Sequence, residues 1–304
     1  MATTLLEPVP GLRGVTGEPW TGVRYFSTWR VGGVSRAPRD SLNLGTHVGD
    51  DPAAVRENRA RLRRALPGEP LWLEQVHGTA VVDADAVPVS EPGGIAAAGL
   101  DASASRAGAG AIPCADAAVT AQRGRPLVIM TADCLPVVLA DAAGTVLGVA
   151  HAGWRGLAAG VLENTLDALR RRAPRACGWR AWIGPGIGPQ AFQVGPEVRE
   201  AFLDQDAGLS DCFVLQPDHF AAGPPQGKMR PLGGQQAGEA CAAWGSDDRR
   251  WLADLAGLAR ARLLRAGVAH VEISGECTWT QADRYFSHRR DPGSGRQATL
   301  AYLV

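Results

Sequence analysis

Lysine is almost missing from this chain. Of the 31 basic residues among 304, only Lys228 is a lysine, which leaves very little room for Schiff-base chemistry. An excess of either charge is missing too. The 31 basic and 31 acidic residues balance, so no global field recruits nucleic acid or an anionic membrane. Nothing approaches the run of about 20 apolar residues that crosses a bilayer, and residues 1–14 carry Glu7, Pro8 and Pro10 where a secretory signal needs an apolar centre. A cytoplasmic protein is expected. The cysteines at 114, 134, 177, 212, 241 and 277 are scattered and form no Cys-x-x-Cys pair. In a chain of this length they read as reduced thiols, mostly small core residues.

What is present is enough length for a substantial core and a run of elements of mixed type. Strands are expected at 23–29, 71–75, 126–131, 135–140, 145–150, 179–183 and 270–274, from short apolar runs bounded by turn residues. Asp51 and Pro52 supply a cap and a first-turn proline for a helix over 53–66. Apolar residues at 157, 161, 162, 165, 166 and 169 predict an amphipathic helix over 157–172, and another is expected over about 250–266. Residues 285–300 read as a hairpin carrying three arginines. Two stretches poor in large apolar residues, 88–110 and about 221–248, are expected to be flexible surface insertions. No repeat or domain boundary is visible. The expected class is therefore mixed α/β, a single domain over 1–304 with mixed sheets flanked by helices.

The chemistry gathers around Thr131-Ala132-Asp133-Cys134-Leu135-Pro136, His151-Ala152-Gly153-Trp154-Arg155-Gly156 and Leu73-Glu74-Gln75-Val76-His77-Gly78. A thiol and two imidazoles, each near a strand end and followed by a small or turn-forming residue, supply three metal ligands with a fourth position open, as in a catalytic zinc. The same residues can also be a core thiol with satisfied histidines, or a Cys/His nucleophile pair. Asp133, Asp116 and Glu74 are candidates for holding the ligands or for acid–base work. Arg155, Arg289, Arg290 and Arg296 are candidate anion clamps. Asn43 and His47, in the glycine-rich 41–51 segment, read first as turn residues. Gly184-Pro185-Gly186-Ile187-Gly188-Pro189 lacks the helix of a dinucleotide fingerprint and reads as a tight pocket loop whose amides could face an anion.

These motifs, together with Gly-Gly-Val-Ser at 32–35, Ser-Leu-Asn-Leu-Gly at 41–45 and Phe-Ser-His-Arg-Arg-Asp at 286–291, closely resemble one bacterial family. It is variously called polyphenol oxidase (laccase domain), peptidoglycan editing factor and zinc-dependent purine nucleoside phosphorylase. The resemblance spans nearly the whole chain in order, and the two insertions touch none of its motifs. It implies a cysteine-hydrolase-like fold and zinc bound by His77, Cys134 and His151. It also implies phosphorolysis of adenosine, inosine, guanosine and methylthioadenosine, with adenosine deamination alongside. On that reading Cys134, His151, Asp133 and Arg155 carry the chemistry, and Asn43, His47 and Arg289 contact substrate. Purine nucleosides and phosphate are the partners, with no nucleic acid or membrane.

Two other activities go with the family's names. A copper-dependent polyphenol oxidase is disfavoured by the histidine count, because six dispersed histidines are too few for a multicopper centre. A Cys134/His151 hydrolase or amidase acting on peptidoglycan precursors stays open, and metal content separates it from the zinc reading.

Overall fold

Two β-sheets lie face to face between helices in the computed structural model, which describes residues 3–89, 112–216 and 249–304. The first sheet has the order β1 (Thr4–Val9), β2 (Leu12–Thr16), β3 (Val23–Thr28), β14 (Gln297–Leu303), β6 (Leu127–Thr131), and every pair in it is antiparallel. The second runs β13 (His270–Ile273), β9 (Trp179–Ile183), β7 (Leu135–Asp141), β8 (Leu147–Ala152), β5 (Ala117–Thr120), β4 (Val81–Asp83). Its outer pairs are parallel and its inner ones antiparallel. A small third sheet joins β10 (Gln193–Val194), β12 (Trp251–Ala253) and β11 (Phe213–Leu215).

The period-two alternation of a strand sorts its side chains into two cores. On β7, Val137 and Leu139 pack with Val161, Leu162, Leu166 and Leu169 of α3 (Val161–Arg172) and with Leu258 and Leu263 of α5 (Leu255–Arg265). Val138 and Ala140 point the other way, onto Tyr25, Leu127, Ile129 and Ala301 of the first sheet. Strands covered on both faces are apolar throughout, which is why β6, β7 and β8 read as unbroken apolar runs. The far side of the first sheet is closed by Leu62 of α1 (Pro52–Arg63) against Leu42, Leu44, Val128 and Leu300. Helix, sheet, sheet and helix therefore stack in four layers, the mixed α/β class expected. Among the described residues no helix is long and apolar enough to cross a membrane.

Several sequence expectations change. The helix over 157–172 is two helices, α2 (Trp154–Ala158) and α3, because Gly160 takes φ 97° between them. The apolar spacing still holds, with 157, 161, 162, 165, 166 and 169 all buried. The helix over 250–266 begins later. Trp251–Ala253 pairs with β10 and β11, and Asp254 then caps α5 by accepting from the Gly257 amide. The strand at 71–75 is reduced to single bridges from Leu71 to Leu127 and Glu74 to Cys114. The hairpin over 285–300 does not form, because both edges of β14 are taken by β3 and β6. Strands β1 and β2 were not anticipated. α4 (Pro196–Leu203) lies between β10 and β11 in the chain. Of the two expected insertions, 221–248 and all of 88–110 except Pro88 and Val89 lie outside the described residues.

Candidate metal centre

The chain crosses from the first sheet to the second in three residues, Ala132, Asp133 and Cys134, between β6 and β7. Asp133 sits at φ 100°, a region that costs a non-glycine residue about 1–3 kcal/mol. Three bonds hold it there. Its carbonyl accepts from the Ile187 amide at 2.8 Å, Oδ1 accepts from the Thr278 hydroxyl at 2.7 Å, and Oδ2 accepts from the Arg289 amide at 2.7 Å. His151 enters on β8, where Pro136 pairs with His151 and Leu135 with Ala152. One step further along that ladder, Cys134 faces Gly153.

His77 arrives on an irregular segment laid along the free edge of β6. The Gln75 amide imitates a strand there, donating to the Met130 carbonyl and accepting from its amide, both at 2.8 Å. The chain then wraps around the carboxylate of Asp116, which accepts from the amides of Val76, His77 and Gly78 at 3.2, 2.9 and 2.6 Å. This wrap requires φ 61° at His77. Asp116 is fully buried and also takes the second histidine, with its Oδ1 2.8 Å from His151 Nδ1.

One ligand atom from each of His77, Cys134 and His151 lies within 4.8 Å of the other two. His77 Nε2 is 3.7 Å from Cys134 Sγ, and the two imidazoles meet edge to face at 4.7 Å. An ionised Asp116 can only accept, so Nδ1 of His151 carries the proton and Nε2 is left for a metal. Gly153 forms the floor. A Cβ there would stand 2.8 Å from His77 Cδ2 and 2.9 Å from Cys134 Sγ, so a glycine is what lets the ligands close up. Its φ of −68° suits any residue. Gly153→Ala should therefore weaken metal retention about tenfold or more purely by crowding, as read by competition with a chelator.

In the metal-free site the charges are coupled, and a metal at Nε2 of His151 displaces a proton. Burial would push the Cys134 thiol up, but the imidazoles of His151 and His77 overcome it and bring it down to about 6. Burial would likewise strip His151, yet the Cys134 thiolate and the Asp116 carboxylate raise it to about 9. Burial opposes ionisation of Asp116 as well, and the bonds from His151 and the Gly78 and Val76 amides hold it below the usual carboxylate range.

The other sequence candidates fall in different places. Arg155 is exposed on α2, its guanidinium 4.5 Å above the Trp154 ring. Arg289 donates from Nη1 to the Gln193 carbonyl at 2.9 Å and lies over Phe192. Arg290 is spent on the carbonyls of Thr278, Trp279 and Tyr285 and on Asp291. His47 is exposed. Glu74 is exposed and bridges Cys114 only through its backbone. Asn43 requires a correction. It is fully buried, donates to the Gly45 carbonyl and Asp50, and accepts from the Gly45 and Arg296 amides. No side-chain donor or acceptor is left over, so the Asn43 amide shapes the loop beside Arg296.

The 184–189 loop is corrected in the same way, since its amides at Gly184, Gly186, Ile187 and Gly188 all have protein partners. Sequence reasoning missed Arg59 altogether. It stacks 3.7 Å above the Trp72 ring, on a helix whose sequence carries no local sign of the site.

A four-layer α/β protein with two imidazoles and a thiolate joined at one end of its paired sheets defines a class of metal-site proteins. The chain belongs to the family described as multi-copper polyphenol oxidoreductase laccase, which it matches over residues 24–304. It is 43% identical over 294 residues to a purine nucleoside phosphorylase of Xylella fastidiosa strain Temecula1, covering 94% of each chain. It is 40% identical to the purine nucleoside phosphorylase YfiH of Escherichia coli K12, covering 93% of this chain and 95% of that one. Among solved structures, Neisseria meningitidis protein NMB0706 superposes with a TM-score of 0.72 at 34% identity, covering 100% and 99% of the two chains. YlmD from Geobacillus stearothermophilus gives 0.72 at 28% identity, covering 98% of each.

Proposed function

We propose that residues 1–304 form a single catalytic domain, a zinc-dependent purine nucleoside phosphorylase. Adenosine, inosine, guanosine and methylthioadenosine are its substrates, adenosine deamination is a side activity, and it works in the cytoplasm. The observation that carries this reading is the convergence of His77, Cys134 and His151 within 4.8 Å, backed by Asp116 and floored by Gly153. The relatives named above supply the reaction class.

Two nitrogens and one thiolate suit zinc, and the steric cradle at Gly153 fits one small ion. Bound there, zinc supplies Lewis acidity toward an oxygen of phosphate or water. Asp116 keeps His151 in the ligating tautomer and, through three backbone amides, fixes the approach of His77. Asp133 holds the Cys134 turn against the 278 and 289 segments, which orients the thiolate. Arg155 lends positive charge at the exposed rim, and His47 and Arg289 border the side open to a nucleoside.

Copper oxidation of phenols is the weaker reading. Among the described residues no second cluster of three ligating side chains accompanies this one, and a multicopper centre needs more. Elemental analysis of purified protein, combined with phosphate-dependent release of base from adenosine and inosine, tests the proposal. Zinc at one equivalent with anaerobic turnover supports it; copper with oxygen-dependent phenol oxidation and no base release overturns it.

The hydrolase reading has one specific observation in its favour, the thiolate–imidazolium character of Cys134 and His151. That character gives a pH prediction. A thiol lowered to about 6 becomes thiolate as pH rises through that value, so iodoacetamide should alkylate chelated protein with an inflection near pH 6 instead of the ordinary ~8.5. Zinc-loaded protein should react far more slowly at every pH. Equal rates with and without zinc would show the thiol to be free and favour the hydrolase.

A further inference from the structure

We infer that Arg59 and Arg296 form the oxyanion site beside the metal centre and hold inorganic phosphate between them, with His47 and His288 at its edge. This rests on the phosphorolysis reading for the identity of the anion and assigns residues that sequence reading left unsettled or missed.

The placement follows from strand register. Gln297 pairs with Thr131 at the end of the β14–β6 ladder, so Arg296 lies one step beyond it, level with Ala132 and next to the turn bearing Asp133 and Cys134. The 43–47 loop packs along its other side. The Arg296 amide donates to Asn43 Oδ1 and its carbonyl accepts from the Leu44 amide. Gly45 clears room for the side chain, since a Cβ there would stand 2.9 Å from Arg296 Cγ. Arg59 reaches the same place from α1, with Nε donating to the Leu44 carbonyl at 3.0 Å and Nη2 4.0 Å from Met130 Sδ.

Both guanidiniums are partly withdrawn from water, and among the described residues neither has a carboxylate partner. Arg296 satisfies Nη1 on the Ser294 and Gly295 carbonyls and keeps Nε and Nη2 unused. Arg59 keeps Nη1 unused, and Glu69, the acid that acts on it, is committed to Arg63 at 3.2 Å. Burial brings Arg59 down to about 10. Burial also lowers Arg296, against the pull of Cys134 and Asp133.

The surplus of positive charge is visible in the neighbours. Partial desolvation of rings that still reach solvent, and then Arg296, push down both His47 and His288, with Arg59 adding to the effect on His47. The thiolate and Asp116 offset a divalent ion, and Asp133 is bonded to Thr278 and the Arg289 amide. Partly desolvated guanidiniums that keep spare donors and have no carboxylate partner among the described residues are what a tetrahedral oxyanion satisfies.

The test is calorimetric titration of inorganic phosphate into the zinc-loaded protein. Arg59→Gln and Arg296→Gln should each weaken binding at least tenfold, whereas Arg56→Gln, exposed on the same helix, should leave it unchanged. A measurement on the wild type guards against variants that fail to fold. Phosphate should shift the imidazole resonances of His47 and His288 and leave those of His270 in place. Unshifted His47 and His288 resonances, or equal phosphate affinity in wild type and an Arg59→Gln/Arg296→Gln double variant, would overturn the site. Base release that persists in a protein whose phosphate affinity ignores both arginines would sink this assignment and leave phosphorolysis standing. Phosphate held by both arginines without base release would do the reverse.

Discussion

Cys134→Ala should yield a folded protein that retains no zinc through dialysis and releases purine base at the background rate. The expected loss is on the order of 10³-fold or more in turnover, because the charge stabilisation a metal supplies is worth several kcal/mol. The fold should survive. Cys134 lies in the turn between β6 and β7, outside the hydrophobic clusters that hold the sheets together. The two histidines that remain cannot compensate, since His77 is anchored through its backbone to Asp116 and His151 through its ring. Metal content by mass spectrometry and turnover should fall together. A metal-free Cys134→Ala protein with full phosphorolysis would remove the metal from the mechanism.

Asp116→Ala should be the most damaging change outside the ligands themselves. The carboxylate is fully buried and accepts from three backbone amides as well as His151. Removing it strands those donors at about 1–3 kcal/mol each, so a loss of about 3 kcal/mol or more in unfolding free energy is expected. It also frees the His151 ring, which should cost about 10–100-fold in zinc affinity. Asp116→Asn separates the two effects. Its amide oxygen can still accept from His151 or from one of the amides, so stability should recover in part. Denaturant titration of the chelated forms and competition for zinc in the loaded forms read the two losses independently. If both variants held zinc as tightly as the parent, Asp116 would have no part in orienting His151.

Much of this arrangement is legible in the sequence. Continuous apolar runs marked β6, β7 and β8, because strands covered on both faces have no solvent side to encode. The Asp51-Pro52 cap marked α1, and the order of the motifs marked the family. The failures have physical causes. Gly160 interrupts a good apolar repeat at no cost to the pattern, so one helix was expected where two exist. The 285–300 hairpin looked sound locally but lost to β3 and β6, which compete for the same edges of β14 from more than a hundred residues away. Asn43 carries the right chemistry for a substrate contact, and only its neighbours reveal that every bond is taken.

By itself the sequence determined the class of the fold, the lack of a long apolar segment among its runs, and the three side chains able to ligate a metal. These are matters of composition, periodicity and local motif. Tertiary structure decided which of three acids stands behind the histidines, which arginines lack a carboxylate partner among the described residues, and why position 153 carries no side chain. Each of these depends on contacts that the local sequence does not encode: Asp116 meets His151 where β5 pairs with β8 and meets His77 where its segment wraps the carboxylate, and Arg59 meets Trp72 and Met130 once α1 has packed on the first sheet.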